Sequence, residues 1–201
     1  MKIETFVLGS MGTNCYLLIN EETKELVIVD PATCPDYMVS HVKSNGYIPK
    51  AILLTHGHFD HVMGIDGWAK EFNIPVYLHE NEAEILAEPK LNLSHMFGMD
   101  YSYEGGVSLK DGEMLELAGF QFQVIHTPGH TAGGCCFYEA DEAVLISGDT
   151  LFYHSVGRTD FPTGDMTTLL NSIKEKLLCL PDDVMVYPGH DRVTCIGEEK
   201  R

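Results

Sequence analysis

With 201 residues the chain can bury one sizeable core, and 44% hydrophobic against 21% charged residues excludes a disordered composition. The formal net charge is −17, from 30 acidic against 13 basic residues without any basic run, so phosphate backbones and anionic lipid are repelled. These bounds predict a single domain over residues 1–201, with neither nucleic-acid nor membrane partners.

The opening MKIETFVLGS is apolar only briefly and is broken by Glu4, so it lacks the cationic start and apolar length of a secretory signal. No window reaches the roughly 18 apolar residues of a membrane helix, and a cytoplasmic protein is expected. Residues 3–9, 14–19 and 26–30 read as strands, interrupted at Ser10-Met11-Gly12-Thr13 and ending at Asp30-Pro31. Their closeness in sequence predicts antiparallel pairing. From Pro35 to Asn45, Met38, Val39 and Val42 form an apolar stripe, with Gly46 where a helix would end. A buried strand at 51–55 is followed by Val62, Ile65, Trp68, Ala69 and Phe72 at helical spacing. A short strand at 75–78 and a short helix at 80–87 come next. Residues 89–108 fit no period, since Met96, Phe97, Met99, Tyr101 and Tyr103 are interleaved with Gly98, Gly105 and Gly106. They form either a mobile loop flanking an active site or an irregular packed segment. Strands recur at 113–117, 120–127, 134–138 and 143–147, again predicting antiparallel pairing. Asp165 then caps a helix with Met166, Leu169, Leu170, Ile173 and Leu177 on one face, before a last strand at 184–187. Strands and helices in this order predict two sheets between two helical layers. The six cysteines show no CxxC spacing, and adjacent Cys135 and Cys136 would point to opposite faces of a strand, so reduced thiols are expected.

The chemistry concentrates in Thr55-His56-Gly57-His58-Phe59-Asp60-His61, at the tip of the 51–55 strand. His56 and His58 are two apart and point to one side, so both can reach one metal ion. Asp60 and His61 could hold a second ion or orient a water. Three further residues follow strands and sit beside glycine or proline: His130 in His126-Thr127-Pro128-Gly129-His130, Asp149 in Ser147-Gly148-Asp149-Thr150, and His190 in Pro188-Gly189-His190-Asp191. One ion cannot use seven ligand-type residues, which predicts two. Imidazole with carboxylate and no thiolate suits zinc, iron or manganese. Zinc is the first expectation.

THGHFDH, HTPGH, SGDT and PGHD together resemble the four metal motifs of the metallo-β-lactamase superfamily, in order and over nearly the whole chain. Within it the match is most similar to the small glyoxalase II-like hydrolases. The resemblance implies an α/β fold, a four-layer αββα sandwich of two mixed sheets flanked by helices. It implies His56, His58 and His130 on one metal, Asp60, His61 and His190 on the other, and Asp149 as a bridge, with Asp60 and Asp149 in the catalytic machinery. It speaks against a true lactamase, whose pattern lacks the bridging aspartate. Two divalent ions lower the pKa of a shared water towards 7 and stabilise an oxyanion, giving a bridging hydroxide that attacks a carbonyl carbon. A thiolate of pKa about 8.5 departs without strong protonation, so a site with no obvious general acid suits a small thioester such as S-lactoylglutathione better than an amide. Val156-Gly157-Arg158-Thr159-Asp160-Phe161 resembles a string in these hydrolases and also one in persulfide dioxygenases, which use a single iron on the same fold. That enzyme is the alternative, with hydrolases of other small esters or lactones beside it. Within the string, Arg158 either clamps a substrate carboxylate or ties the loop to Asp160. Asp30 is expected to support His58 or His61, and His126 could stand behind the ligands. His41, His79, His95 and His154 read as ordinary. Longer glyoxalase II enzymes carry a further helical domain for glutathione. This chain stops eleven residues after His190, so no such C-terminal domain is expected and the KM for S-lactoylglutathione should be high.

Overall fold

Every residue of β2 (Thr13–Ile19) is buried, which a strand achieves only when both faces of its sheet are covered. The computed structural model describes residues 1–201 and shows what covers each face. β2 pairs antiparallel with β1 (Lys2–Leu8) and β3 (Glu25–Val29), as their closeness in sequence predicts. β4 (Ile48–Leu53), β5 (Val76–His79) and β6 (Val107–Leu109) then join parallel, in the order β1-β2-β3-β4-β5-β6. Parallel neighbours need crossovers. These are supplied by α1 (Asp36–Ser44), then by α2 (Phe59–Val62) with α3 (Ile65–Phe72), then by α4 (Ala83–Ala87) and the segment after it.

The second sheet begins with β7 (Met114–Leu117), β8 (Phe120–His126), β9 (Cys135–Glu139) and β10 (Val144–Gly148), all antiparallel neighbours. A small hairpin, β11 (Leu151–Phe152) with β12 (Ser155–Val156), precedes α5 (Met166–Ser172), whose N-cap Asp165 accepts from the Thr168 amide at 2.7 Å. α5 runs on as a wider π-type turn over Ile173–Leu177. β13 (Met185–Pro188) returns parallel to β10, followed by β14 (Thr194–Cys195) and α6 (Ile196–Glu199). Both sheets are therefore mixed.

Period-two alternation deals the side chains into three layers of core. Leu17, Ile19, Leu26 and Ile28 meet Met38, Val42, Ile65 and Trp68 of the helices on one side. Tyr16, Leu18, Val27 and Val29 turn the other way, against Phe122, Val124, Phe137 and Ile146 of the second sheet. Ile125, Cys136, Leu145 and Val186 form the outer core with Leu169, Ile173 and Leu177. Cys135 and Cys136 thus face different cores, as expected of neighbours in a strand, and all six cysteines are free thiols. This is the αββα sandwich. Fully buried Trp68 donates its indole N–H to the Thr33 carbonyl at 3.0 Å, and truncating such a side chain costs about 3–5 kcal/mol. No helix is long and apolar enough to cross a membrane.

Within residues 89–108, Asn92, Leu93 and Ser94 are buried while 95–100 and 104–108 are exposed. Buried Asn92 holds the segment, its amide donating to the Leu86 and Tyr101 carbonyls and its oxygen accepting from the Ser94 amide. A 3-10 turn, Ser94–Phe97, and β6 lie within it, neither of them signalled by periodicity. The strand expected at 51–55 ends at Leu53, which leaves Thr55 in the loop that carries the histidines.

Candidate metal centre

Four strand ends face one cleft. The loop after β4 carries His56 and His58, with Asp60 and His61 on the short helix α2; the loop after β8 carries His130, Asp149 directly follows β10, and His190 follows β13 after Gly189. β8, β10 and β13 all run the same way, so their C-terminal ends emerge together. The backbone closes in because it is small where it must be. A Cβ on Gly189 would lie 2.2 Å from Asp149 Oδ1, and one on Gly157 would lie 1.8 Å from the Asp149 carbonyl oxygen.

The structure brings all seven predicted residues together, in two groups. His56, His58 and His130 converge, with His58 Nδ1 2.9 Å from His130 Nε2. Asp60, His61 and His190 converge beside them, with the two Nε2 atoms 3.3 Å apart. Asp149 faces both: its carboxylate is 3.4 Å from His61 Nε2, 3.6 Å from His130 Nε2 and 3.5 Å from His190 Nε2. His56 Nε2, His58 Nε2 and Asp149 Oδ1 are buried without a hydrogen-bond partner, although an unsatisfied buried polar atom costs about 1–3 kcal/mol. Orphaned imidazole and carboxylate atoms aimed at one another are a donor set that divalent cations fit.

The far nitrogens are anchored. His61 Nδ1 donates to Asp30 at 2.9 Å, and Asp30 also accepts from the Thr55 amide at 2.8 Å and the Thr55 hydroxyl at 2.6 Å. Of the two histidines that Asp30 was expected to support, His61 is the one. Thr55 Oγ1 in turn meets His56 Nδ1 at 3.1 Å, which leaves His56 Nε2 as the lone-pair nitrogen. His130 Nδ1 donates to the main-chain carbonyl of Arg158 at 2.7 Å. Burial, reinforced by the neighbouring rings, pushes His56 and His58 well below the ordinary histidine range, so they stand neutral. Burial opposes a charge on His61 too, but Asp60, Asp149 and Asp30 raise it to about 10. Burial would raise the Asp60 carboxyl, yet His61 and His190 hold it well below the carboxylate range. This half of the centre attracts positive charge.

Glu82 is the residue that sequence reasoning misses. Only 1% exposed, it accepts from the Gly57 amide at 2.7 Å, the Thr131 hydroxyl at 3.0 Å and the Gly133 amide. It therefore ties the His56/His58 loop to the His130 loop from behind. One signal exists: Ile85 and Leu86, three and four residues on, are buried, so Glu82 shares the inward face of its helix. The ring of His126 stacks on His79 at 3.9 Å and meets the Ala132 carbonyl at 3.0 Å, and neither partner is one of the seven ligand-type residues.

A cavity of about 470 Å³ opens onto the centre, and Phe59, Phe97, Phe152, Val156 and Phe161 give it an apolar wall. Arg158 lies at its mouth with its fork engaged, Nε at 2.7 Å and Nη2 at 2.6 Å from Asp160, and its guanidinium 4.0 Å from the centre of the Phe161 ring. The observed bond is thus the tie to Asp160.

The family described as the metallo-beta-lactamase superfamily matches residues 8–190. "Probable metallo-hydrolase YqgX" of Bacillus subtilis is 38% identical over 202 residues, covering 100% of this chain and 95% of its own. "Hydroxyacylglutathione hydrolase GloC" of Haemophilus influenzae is 36% identical over 204 residues, covering 100% and 96%. Among solved structures, the BLEG-1 B3 metallo-beta-lactamase superposes with a TM-score of 0.93 at 42% identity, covering 98% of this chain and 96% of that one. TTHA1623 in a di-iron-bound form gives 0.87 at 36%, covering 98% and 97%. A protein that carries the lactamase name and one that carries the glutathione-thioester name are thus both similar to this chain. The strand-end histidines and aspartates, the αββα layers and these matches agree, and the chain belongs to the metallo-beta-lactamase superfamily.

Proposed function

We propose that this protein is a metal-dependent hydrolase of a small thioester. His56, His58 and His130 would hold one divalent ion, Asp60, His61 and His190 a second, and Asp149 would face both. When bound, the pair of ions supplies an activated water at neutral pH and stabilises charge on the carbonyl oxygen. The chain's own residues do the rest. Asp30, Thr55, Glu82 and the Arg158 carbonyl fix the rings, and the wall around Phe59 and Phe161 keeps bulk water from the reacting carbonyl.

The observation that carries the thioester reading is the lack of a proton donor. No lysine, tyrosine or cysteine lines the cavity, and Asp60 is held ionised. A leaving group must then depart largely unprotonated, as a thiolate of pKa about 8.5 does and an amine does not. The 36% identity with a hydroxyacylglutathione hydrolase supports the same reading. The 42% identity with a solved structure that carries the lactamase name favours a second one, opening of a strained β-lactam amide. Elemental analysis of purified protein, with turnover of an acyl thioester, of a β-lactam, and oxygen uptake with a persulfide, separates these. Two metals per chain with oxygen-independent thioester hydrolysis is expected. One iron with oxygen uptake would establish the dioxygenase instead, and β-lactam turnover alone would establish the second reading.

A further inference from the structure

We propose, resting on the thioesterase reading, that the acyl arm of the substrate is uncharged and apolar, and that the Phe59–Phe97 wall is the subsite that selects it. The two rings lie 4.6 Å apart at 33° beside the metal centre. Phe97 is 53% exposed and Met11, across the cavity, 50%, so large apolar side chains stand in water where the cavity opens. Exposed apolar surface gathered at a cleft marks a binding site rather than a fold requirement. Beyond Phe59 a second hollow of about 300 Å³, lined by Ala32, Cys34, Met63 and Met99, continues the apolar surface.

The wall is keyed to the ligand loop. Buried Leu93, which lines the cavity, holds a left-handed φ of 70°, a strained setting for a bulky residue and one that gathers at functional sites. Its neighbour Asn92 accepts from the Phe59 amide at 2.8 Å through its main-chain carbonyl, one residue from His58. Charge points the same way. Asp60, Asp149 and Asp191 line the cavity, and its one arginine, Arg158, is already paired with Asp160. A carboxylate on the acyl arm would find no unpaired lysine or arginine in this wall, whereas an aliphatic or aryl acyl arm finds rings. In the reaction the carbonyl carbon loses its C–S bond and gains a C–O bond from water. One water proton ends on the departing sulfur and the other is released by the new carboxylic acid.

The test uses the metal-loaded protein and thioesters of neutral N-acetylcysteamine with acetyl, butyryl, hexanoyl and phenylacetyl groups, beside S-lactoylglutathione. Full burial of a methylene is worth about fourfold in binding, so on a half-open wall kcat/KM should rise at least about tenfold from acetyl to hexanoyl. Phe97→Ser should flatten that rise to about twofold or less; the side chain is half exposed, so its loss spares the fold. A flat series with measurable turnover overturns the apolar arm and leaves the thioesterase intact. Absence of turnover with every thioester overturns the thioesterase reading. Calorimetric titration with aliphatic carboxylates of the same lengths reads the wall without turnover. Affinity rising with length supports the apolar subsite whatever bond is cleaved, and affinity independent of length overturns it.

Discussion

The two halves of the centre are built on opposite electrostatic plans. Burial and the neighbouring rings hold His56 and His58 towards the neutral form, while His56 rests on the Thr55 hydroxyl and His130 on a main-chain carbonyl, with the Glu82 side chain one layer further back holding the loops. Around His61, by contrast, three carboxylates crowd within hydrogen-bond or ion-pair distance: Asp30, Asp60 and Asp149. The first half is organised by shape, because neutral nitrogens need only be aimed. The second is organised by charge, because carboxylates out of water require a cation among them. A pair of ions held this way would be neutralised mainly from one side.

Asp149 faces His130 on one side and His61 and His190 on the other, and its loss should break both plans. Asp149→Ala is expected to lower kcat by at least about 10³-fold, the scale of losing a group that stabilises charge at the reacting centre. Metal content should fall to one equivalent or less per chain, while the far-ultraviolet circular dichroism stays native because the residue lies just past a strand end. A variant retaining two metals and normal turnover would show that the halves are independent.

Asp30→Asn separates them. The amide leaves either His61 or Thr55 facing a donor, so one metal equivalent should bind about 10–100-fold more weakly, as for other partners behind metal ligands. The equivalent held by the three histidines should be less affected. Competition with a graded chelator reads the two steps, and equal weakening of both would refute the division.

Glu82→Gln tests the shape-organised half, with an expected loss of about tenfold in kcat/KM from a misaimed triad. It also carries a pH signature. Burial pushes the Glu82 carboxyl up to about 7, against three donors, from an ordinary value of 4.5. For an acid raised on folding, the stability contribution is fully present below pH 4.5 and is lost as pH rises to 7. Denaturation from pH 4.5 to 7.5 should therefore show the wild type losing ground to Glu82→Gln, on the order of 3 kcal/mol for a shift of this size. Parallel pH curves would mean that Glu82 is ionised throughout and held by its three donors alone.

The seven residues that cluster in the cleft were legible in the sequence because few residue types suit metal ligation and close backbone approach demands glycine beside them, as at Gly189. The central strands β3 and β10 were legible because burial on both faces favours apolar residues, whereas β6, β11, β12 and β14 have only two or three residues and show no period. Glu82 was not legible, since it sits in a run with Glu80 and Glu84 and only tertiary packing tells it apart. The anchor of His130 was invisible for a different reason: any residue at position 158 supplies a carbonyl. The left-handed Leu93 and the burial of residues 92–94 likewise follow from Asn92 bonding across the segment, which carries no period to read.

The smallest effect is expected at Arg158, where main chain and side chain belong to different plans. Its carbonyl serves His130, and that bond survives any substitution of the side chain. Its guanidinium is 59% exposed and spends two of its donors on Asp160, itself 66% exposed, so the pair lies in screening water. Arg158→Ala should therefore change kcat/KM for a neutral thioester by no more than about threefold, the range of an exposed pair. Asp160→Asn gives the sharper reading, because it frees the fork without removing it. If the guanidinium is a carboxylate clamp held in check by Asp160, this variant lowers the KM for an anionic thioester while leaving a neutral one unchanged, and adding Arg158→Ala cancels the gain. If the ion pair only braces the loop, Asp160→Asn and Arg158→Ala shift both substrates alike. The salt dependence of KM decides which holds, since only a working clamp makes binding of the anionic substrate weaken as ionic strength rises.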